Sequence, residues 1–533
     1  MRANETDKEI EVLIVGAGPA GLMMACQLAI QGIRFRIIDK KEHPTTNSGA
    51  LIIQARSVEI FNQMGIAQKV IQAGIIANKI NIIFNGKQLF KMPVKNIGSG
   101  LSQFPYLLMV KQSKTEQLLT EFLNKRGFSI ERRYELLSLN QDTTGVTSQI
   151  KNPDGKIESI KTQYLIAADG GKSLIRQQLN IPFIGKAHQK SLFIIDCKTD
   201  TKLSEDEIYI SFSDKTISGF FPLANGKWRV DGIIPDELTS KETLTFDDVE
   251  EHFSERIRMD TKLYDSEWFS VFHSHQHHAS SFQKNRCFLI GDAAHIHSPV
   301  GAQGMNTGLQ DAFNLGWKLA FVLRGKAKPE LLDTYTPERL PVAKNTIRTT
   351  DNIFNLLTSD NFFKKTFRIY IVPVIIKTLF PLFADRNWIR RYLFKSISEI
   401  GIHYRESVLS HQPSISLLPP FLLRPGDRLP FILFSENGRE VNIQEKVKGT
   451  GFHLFILSKD SPPKEIINMA EKYSNILSFD IILPSANNNI LFKKSGIKKK
   501  GFLLIRPDLH IAFQSENLNT KQLENYLKQF LNT

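Results

Sequence analysis

A hexapeptide near the start, Gly16-Ala17-Gly18-Pro19-Ala20-Gly21, restricts this chain's fold more than any other stretch. It follows a short apolar run, Glu11–Val15, and opens a segment of helical spacing, Leu22–Gln31; a second apolar run, Phe35–Asp39, comes next. Strand, turn, helix and strand in this order predict a βαβ unit of a parallel sheet. Gly16 permits a tight turn. Gly18 withholds a side chain, so that a pyrophosphate can reach the backbone and the positive end of the helix. Gly21 lets the helix pack close to the strand. Asp39 ends the second strand, 39 − 16 = 23 residues after the first glycine, where a carboxylate accepts hydrogen bonds from an adenosine ribose. A glycine turn in a ligand-free α/β domain is the alternative, and the coincidence of strand, helix and acid speaks against it.

Two further segments carry an aspartate just after a short apolar strand. They are Ala168-Asp169-Gly170-Gly171-Lys172-Ser173, after the strand expected at Tyr164–Ala168, and Gly291-Asp292-Ala293-Ala294-His295, after Cys287–Ile290. In an open α/β sheet that edge is where ligands sit, and a carboxylate there can accept bonds from ribose or ribityl hydroxyls. Taken singly, each aspartate reads more simply as a helix cap or turn former.

At 533 residues the chain exceeds what one core sustains, so several domains are expected. The α/β texture changes at about 181. Glu207–Ser213, Lys227–Ile234 and Trp268–His275 then alternate as in an antiparallel sheet solvated on one face. The expected division is 8–180, with 81–105 contributed to that sheet, then 181–284 for the sheet itself, 285–350 returning to the first domain, a helical segment 351–415, and a tail 416–533. Gln412–Pro430 is Pro-rich and reads as a linker. Ile369–Ala384 is the most apolar stretch of the helical segment. Lys377 and two prolines break it and it is too short to span a bilayer, so a buried helical pair is expected, with a surface-lying amphipathic segment as the alternative.

A hydrophobic share of 41% excludes disorder over most of the chain. Three scattered cysteines, Cys26, Cys197 and Cys287, exclude a disulfide framework and a cysteine zinc site and favour a reducing, cytoplasmic setting. The N-terminus has no secretory signal pattern. The net charge of +14 is spread along the chain without a basic stripe among aromatics, so no nucleic-acid partner is expected. A lysine cluster at Lys493–Lys500 reads as a solvated loop, and the mild positive field suits anionic cofactors. His273, His275 and His277 share one face of a strand, but no acid or cysteine accompanies them, so no metal site is expected. Ser173 and His295 form no recognisable nucleophile–base pair, which disfavours a hydrolase.

GAGPAG, YLIAADGGKSLIR and CFLIGDAAHIHSPVGAQGMNTGLQDAFNLGWKLAFVLRG together resemble the flavin-dependent aromatic hydroxylases, the class A monooxygenases related to para-hydroxybenzoate hydroxylase and phenol hydroxylase. The likeness runs from about residue 10 to 345 and continues more weakly through Ile397–Tyr404. The tail, with Pro425-Gly426-Asp427-Arg428 and Gly501–Asp508, is similar to the thioredoxin-like appendix of the phenol hydroxylase branch. The fold so implied is α/β: an FAD-binding, Rossmann-like domain of the glutathione-reductase type interleaved with a mixed β-sheet substrate domain, plus a C-terminal thioredoxin-like domain. The tail holds no cysteine, so dithiol chemistry is excluded. It reads as a packing or dimerisation element, which leaves a homodimer among the expectations.

By position, the resemblance implies that Gly16, Gly18, Pro19, Ala20 and Gly21 cradle the FAD pyrophosphate and that Asp39 holds the adenosine ribose. Gln112 matches a glutamine that contacts FAD. Asp169 and Gly170 match a motif serving FAD and NAD(P)H, and Asp292 would hold the ribityl chain. Pro299 would lie beside the reactive flavin carbon. Gly304, Met305 and Asn306 would present N–H groups to the pyrimidine end of the flavin, where a helix expected over Asn306–Leu323 adds its positive end. The implied reaction consumes NAD(P)H and O2 and hydroxylates an aromatic substrate, phenol-like or polyketide, through a flavin C4a-hydroperoxide. No side chain is assigned as catalytic; Tyr209 and the histidines of the middle sheet are candidates for a proton acceptor.

Two departures stand out. Gly49-Ala50 occupies a place where the family often has Arg before Ala, leaving Arg56 as the nearby arginine. His277 or His278 stands where the family has another arginine. An epoxidase or quinone hydroxylase, a reductase on the same scaffold, and an FAD-binding interaction protein without turnover are the alternative readings.

Overall fold

The structure is a computed structural model. It describes residues 9–532 apart from 48, 240, 242, 299–300, 360, 380, 383–385, 412–421, 437–438, 448–449, 463 and 485–487, and leaves out the side chains of 187–189, 273–274, 435–436 and 439. The strand Val12–Val15 is buried in the middle of a six-stranded sheet. Phe35–Asp39 pairs parallel to it on one side and Tyr164–Ala167 on the other. Cys287–Leu289 adds a further parallel strand outside Tyr164–Ala167, so a segment distant in sequence completes the sheet. Parallel strands align their carboxyl ends, so the turns after Val15, Asp39, Ala167 and Leu289 converge on one edge.

The second layer is an eight-stranded, largely antiparallel sheet. Its order is His295–Ile296, Leu263–Ala279, Phe183–Thr199, Trp228–Ile233, Ile217–Pro222, Glu207–Phe212, Lys79–Phe84 and Lys87–Pro93. The last two strands come from the first part of the chain, and Lys79–Phe84 runs parallel to Glu207–Phe212. Gly304–Leu323 is an apolar helix buried from Asn306 to Phe321. It packs on Pro19–Ile30 with its first turn aimed at the edge where the turns meet. The sequence predicts its start at Asn306; the structure starts it two residues earlier, because Gln303 takes the capping position.

Three expectations are corrected. Ile369–Ala384 is helical where described, in short pieces at Phe367–Ile371, Val372–Val374 and Ile375–Leu379, but it is not buried: Tyr370, Val374 and Leu382 are exposed. The lysine cluster is a loop only at 496–499, where Lys498 and Lys499 are exposed; Lys493 and Lys494 end the helix Asn489–Ser495 and Lys500 begins the strand Lys500–Ile505. Of the expected linker, 412–421 lies outside the described residues, and the following part is anchored through Arg428. That guanidinium is buried against Glu59 at 2.9 Å and donates to Ile400 O and Leu101 O.

The C-terminal region holds a four-stranded sheet ordered Leu477–Ile482, Phe452–Ser458, Lys500–Ile505 and Ile511–Ser515. Its first pair is parallel and the rest antiparallel. The helices Lys464–Lys472, Asn489–Ser495 and Thr520–Phe530 accompany it.

Candidate functional site

A cavity of about 980 Å³ lies between the two large sheets, at the upper end of the range for small-molecule and cofactor sites. The glycine turn forms one end of it. Gly16 has φ +104°, and a Cβ there would stand 2.2 Å from Ala168 O. A Cβ at Gly21 would stand 1.9 Å from Gly16 O, so this glycine serves the helix–strand contact and does not line the cavity. Gly18 meets nothing within 4 Å; its open side faces the cavity beside Pro19 and Ala20. Asp39 also lines the cavity while clamping the turn: Oδ2 accepts Ala17 N–H at 2.7 Å and Oδ1 accepts Lys41 N–H at 2.8 Å.

The other aspartates stand on the same edge. Asp169 Oδ2 accepts Ile175 N–H at 3.3 Å, whereas its Oδ1 is buried with no hydrogen-bond partner among the described residues. Burial pushes its carboxyl pKa up. Asp292 is exposed to the cavity, and desolvation raises its pKa against the pull of His295. Gly170 has φ +84° and open space where a Cβ would be. Gln112 lines the cavity and donates from Nε2 to Glu116 Oε1 at 2.8 Å.

Gly304 and Met305 line the cavity as the first turn of the long helix, where backbone N–H groups have no acceptor within the helix. Asn306 does not line it. Its side chain accepts Gln54 N–H at 2.9 Å and donates to Ile52 O at 2.9 Å, fastening the helix start to the short strand Ile52–Ile53. Pro299 lies outside the described residues. His295 is held by Asp311 at 2.7 Å, and Asp311 in turn by Arg339. His297 Nδ1 bonds Ser298 O at 2.7 Å while its Nε2 has no partner among the described residues, and burial takes its pKa down to about 4.

The opposite wall belongs to the large sheet. Ile194, Ile208, Ile210, Phe221 and Phe272 make it apolar, and a charged cluster interrupts it. Arg229 pairs with Asp196 through Nε at 2.8 Å, and Lys111 meets the same carboxylate at 2.8 Å. Arg229 also donates to Gly49 O at 3.1 Å. A guanidinium thus reaches the corner where Gly49-Ala50 supplies none, but from the other sheet. Arg56 points away and donates to Asp508 O.

On the same strand, Asp231 lines the cavity and its Oδ1 accepts Gly219 N–H at 3.0 Å. A Cβ at Gly219 would stand 2.5 Å from that oxygen, so the glycine makes room for it. Desolvation raises the Asp231 pKa to about 6. The sequence reading missed Arg229 and Asp231, although the alternation of Lys227–Ile234 would place both on one face. Tyr209 lies outside the cavity, with its hydroxyl bonded to Ser204 N–H. His277 stacks on Phe183 and is not in the wall either. Among the described residues no group of three or more His, Cys, Asp or Glu side chains could hold a metal ion.

Residues 9–350 match the family model described as an FAD binding domain. The chain belongs to that family. It is 29% identical to 6-methylpretetramide 4-monooxygenase of Streptomyces rimosus over 96% of this chain and 92% of that protein. It is 32% identical to rifampicin monooxygenase of Streptomyces venezuelae over 74% of this chain and 79% of that protein. Anhydrotetracycline hydroxylase from Streptomyces rimosus shares its fold with a TM-score of 0.78 at 27% identity, covering 98% of this chain and 99% of that one. Membership in an FAD-binding family agrees with the donor set. The glycine cradle is open only at Gly18, and the partnerless Asp169 Oδ1 and His297 Nε2 border the same long cavity.

Proposed function

We propose that the protein is an FAD-dependent, NAD(P)H-consuming monooxygenase that uses O2 to hydroxylate an aromatic ring, phenol-like or polyketide, in a cytoplasmic setting. The observation that carries this reading is the continuity of one cavity from a dinucleotide cradle to an apolar wall that holds an isolated carboxylate. Gly16, Gly18, Pro19 and Ala20 would hold the pyrophosphate, with Gly21 keeping the helix close to the strand behind them; Asp39 would hold the adenosine ribose and Asp292 the ribityl hydroxyls. Gln112, Asp169 and Gly170 would complete the cofactor's edge. The N–H groups of Gly304 and Met305 would face the flavin's pyrimidine end, with Asn306 fastening the helix start behind them and Pro299 beside the ring. Bound FAD would supply hydride acceptance from NAD(P)H and oxygen transfer from O2.

The chain's own work is to bind, orient and move a proton. The wall of Ile194, Ile208, Ile210, Phe221 and Phe272 presses an aromatic ring toward the cofactor and keeps water out. Asp231 stands in that wall, and its carboxylate accepts the phenolic proton. With a pKa of about 6 it is ionised at neutral pH yet basic enough to help. Arg229, neutralised by Asp196, shapes the boundary between ring and cofactor.

The domain reading follows: 8–180 and 285–350 as the FAD-binding, Rossmann-like part, 81–105 and 181–284 as the substrate sheet, 351–415 as a helical segment, and 416–533 as a thioredoxin-like unit. The C-terminal sheet order and the flanking helices support that last assignment.

The test is purification with bound yellow cofactor, then NAD(P)H oxidation in the presence of phenols and aromatic polyketides, scored by incorporation of labelled O2. A protein that neither retains nor rebinds FAD overturns the reading. One that binds FAD but incorporates no oxygen into any aromatic of the panel is an interaction protein instead.

A further inference from the structure

We propose that the face formed by residues 362–379, 381–382 and 386–392 docks the protein on an anionic lipid surface. Among the described residues, 23 large apolar side chains are exposed, and 13 of them fall between 353 and 392. Phe362 is 75% exposed, Phe363 79% and Trp388 67%, with Tyr370, Val374 and Leu382 beside them in the chain. Scattered exposed apolar residues need no explanation, but a concentration of this kind marks an interaction surface.

The charge of the same segment selects the occupant. From 361 to 397 the sequence has eight Lys and Arg and a single acid, Asp385. Lys364, Lys365, Lys377, Arg386, Arg391 and Lys395 form no ion pair among the described residues. Some exposed lysines elsewhere do, Lys215 with Glu255 and Lys241 with Asp248, so what sets this segment apart is its one-sided charge. A second copy across a two-fold axis would set this basic rim against itself. Nucleic acid would answer the charge, but Ile371, Val374 and Leu382 offer nothing to a phosphate backbone. A bilayer with anionic headgroups satisfies both halves: phenylalanines and aliphatic side chains enter the acyl boundary, Tyr and Trp sit at headgroup depth, and long cationic side chains reach the phosphates.

The segment is firmly placed against the cavity. Arg368 is buried and donates to Leu357 O at the end of the helix Tyr335–Thr358. Phe354, Leu357 and Thr358 of that end line the cavity, as does Ile397 on the far side of the segment. Docking on this face therefore sets the cavity's helical wall beside the bilayer, where an aromatic too apolar for water is concentrated. Among the described residues no helix is long and apolar enough to cross a membrane, so the contact lies in the surface plane.

The experiment uses the full-length, FAD-loaded protein and sedimentation with vesicles. Vesicles of phosphatidylglycerol and phosphatidylcholine in equal parts bind the protein at low salt. Partitioning falls on the order of tenfold or more with phosphatidylcholine alone, and likewise at about 0.5 M NaCl. F362S/F363S and K364E/K365E each cause a loss of similar size while the flavin spectrum and thermal transition stay unchanged. Bromine-labelled lipid quenches Trp388, read as the difference between the parent and W388F. No binding to the anionic vesicles overturns the proposal, as does binding that is indifferent to these substitutions or leaves Trp388 unquenched. Self-association abolished by F362S/F363S, with no vesicle binding, assigns the face to a second copy instead. Because partitioning is read without turnover, failure here and failure of the proposed reaction are separate results.

Discussion

The two glycines at the start and middle of the turn differ in what a methyl group would meet, and that difference is measurable. At Gly16 an added Cβ collides with Ala168 O in a backbone of positive φ, so Gly16→Ala costs ~2–4 kcal/mol of stability. At Gly18 the space is open, so Gly18→Val leaves the melting temperature of the cofactor-free protein unchanged but weakens FAD binding on the order of tenfold or more. Fluorescence titration of FAD and thermal melting separate the two. Asp231 gives a pH signature. Its folded pKa of about 6 lies above that of an ordinary aspartate, so the native state holds an extra proton between the two values. Stability therefore falls as pH rises through that window and stays lower above it. Asp231→Asn then stabilises the protein at neutral pH, by up to about 3 kcal/mol. It also lowers turnover of a phenol about 10²-fold and removes the fall in kcat/KM expected for the parent below pH about 6. Much of the site was legible as motif: the glycine turn and the aspartates at 39, 169 and 292 each follow a strand, and local order carries that information. Asp231 was not, because a charged residue in an alternating strand looks the same whether its face meets water or an enclosed cavity.

At the scale of elements, the long helix Gly304–Leu323 is locked to the C-terminal sheet by buried charges. Glu338 receives Lys318 at 2.6 Å, Arg506 at 2.6 Å and 2.9 Å, and Asn314 at 2.7 Å. Burial opposes ionisation of this carboxyl, yet Arg506 and Lys318 hold its pKa well below the usual carboxylate range. Its stabilisation is thus complete above the ordinary glutamate pKa and is lost as pH falls below it. Glu338→Gln leaves buried Lys318 without its counter-charge and Arg506 with Asp508 alone, and destabilises by ~3–5 kcal/mol, visible as a lower denaturation midpoint and faster proteolysis of the C-terminal region. Parallel strands were readable because they are continuous apolar runs: Phe35–Asp39 has the same limits in the sequence reading and the structure. Of the 17-residue strands, Leu263–Ala279 was seen only over Trp268–His275 and Phe183–Thr199 was not singled out, since its charges break the alternation. The segment 369–384 was misjudged for the opposite reason: apolar composition suggests burial, and only the assembled fold shows Tyr370, Val374 and Leu382 exposed.

For the whole molecule, the C-terminal region is part of the core. Trp317 and Phe321 of the long helix meet Phe452 at ring distances of 5.6 Å and 5.8 Å, in a cluster with Leu504, Phe513 and Leu527. A chain ended after residue 432 would expose these rings, each representing ~1.5–3 kcal/mol of burial, and is expected to be recovered as aggregate. Soluble yield and light scattering check this. The interleaving of the two large sheets bears on how the molecule is made. Leu165 finds Cys287 as its neighbour and Ile80 finds Ile208, pairs that lie far apart in the chain. A ribosome releasing this polypeptide must therefore deliver nearly three hundred residues before either sheet can close. Until then the nascent chain carries unpaired strand edges. Biogenesis should be slow and dependent on holding factors, with the earliest stable intermediate appearing only after the Cys287–Leu289 strand has emerged.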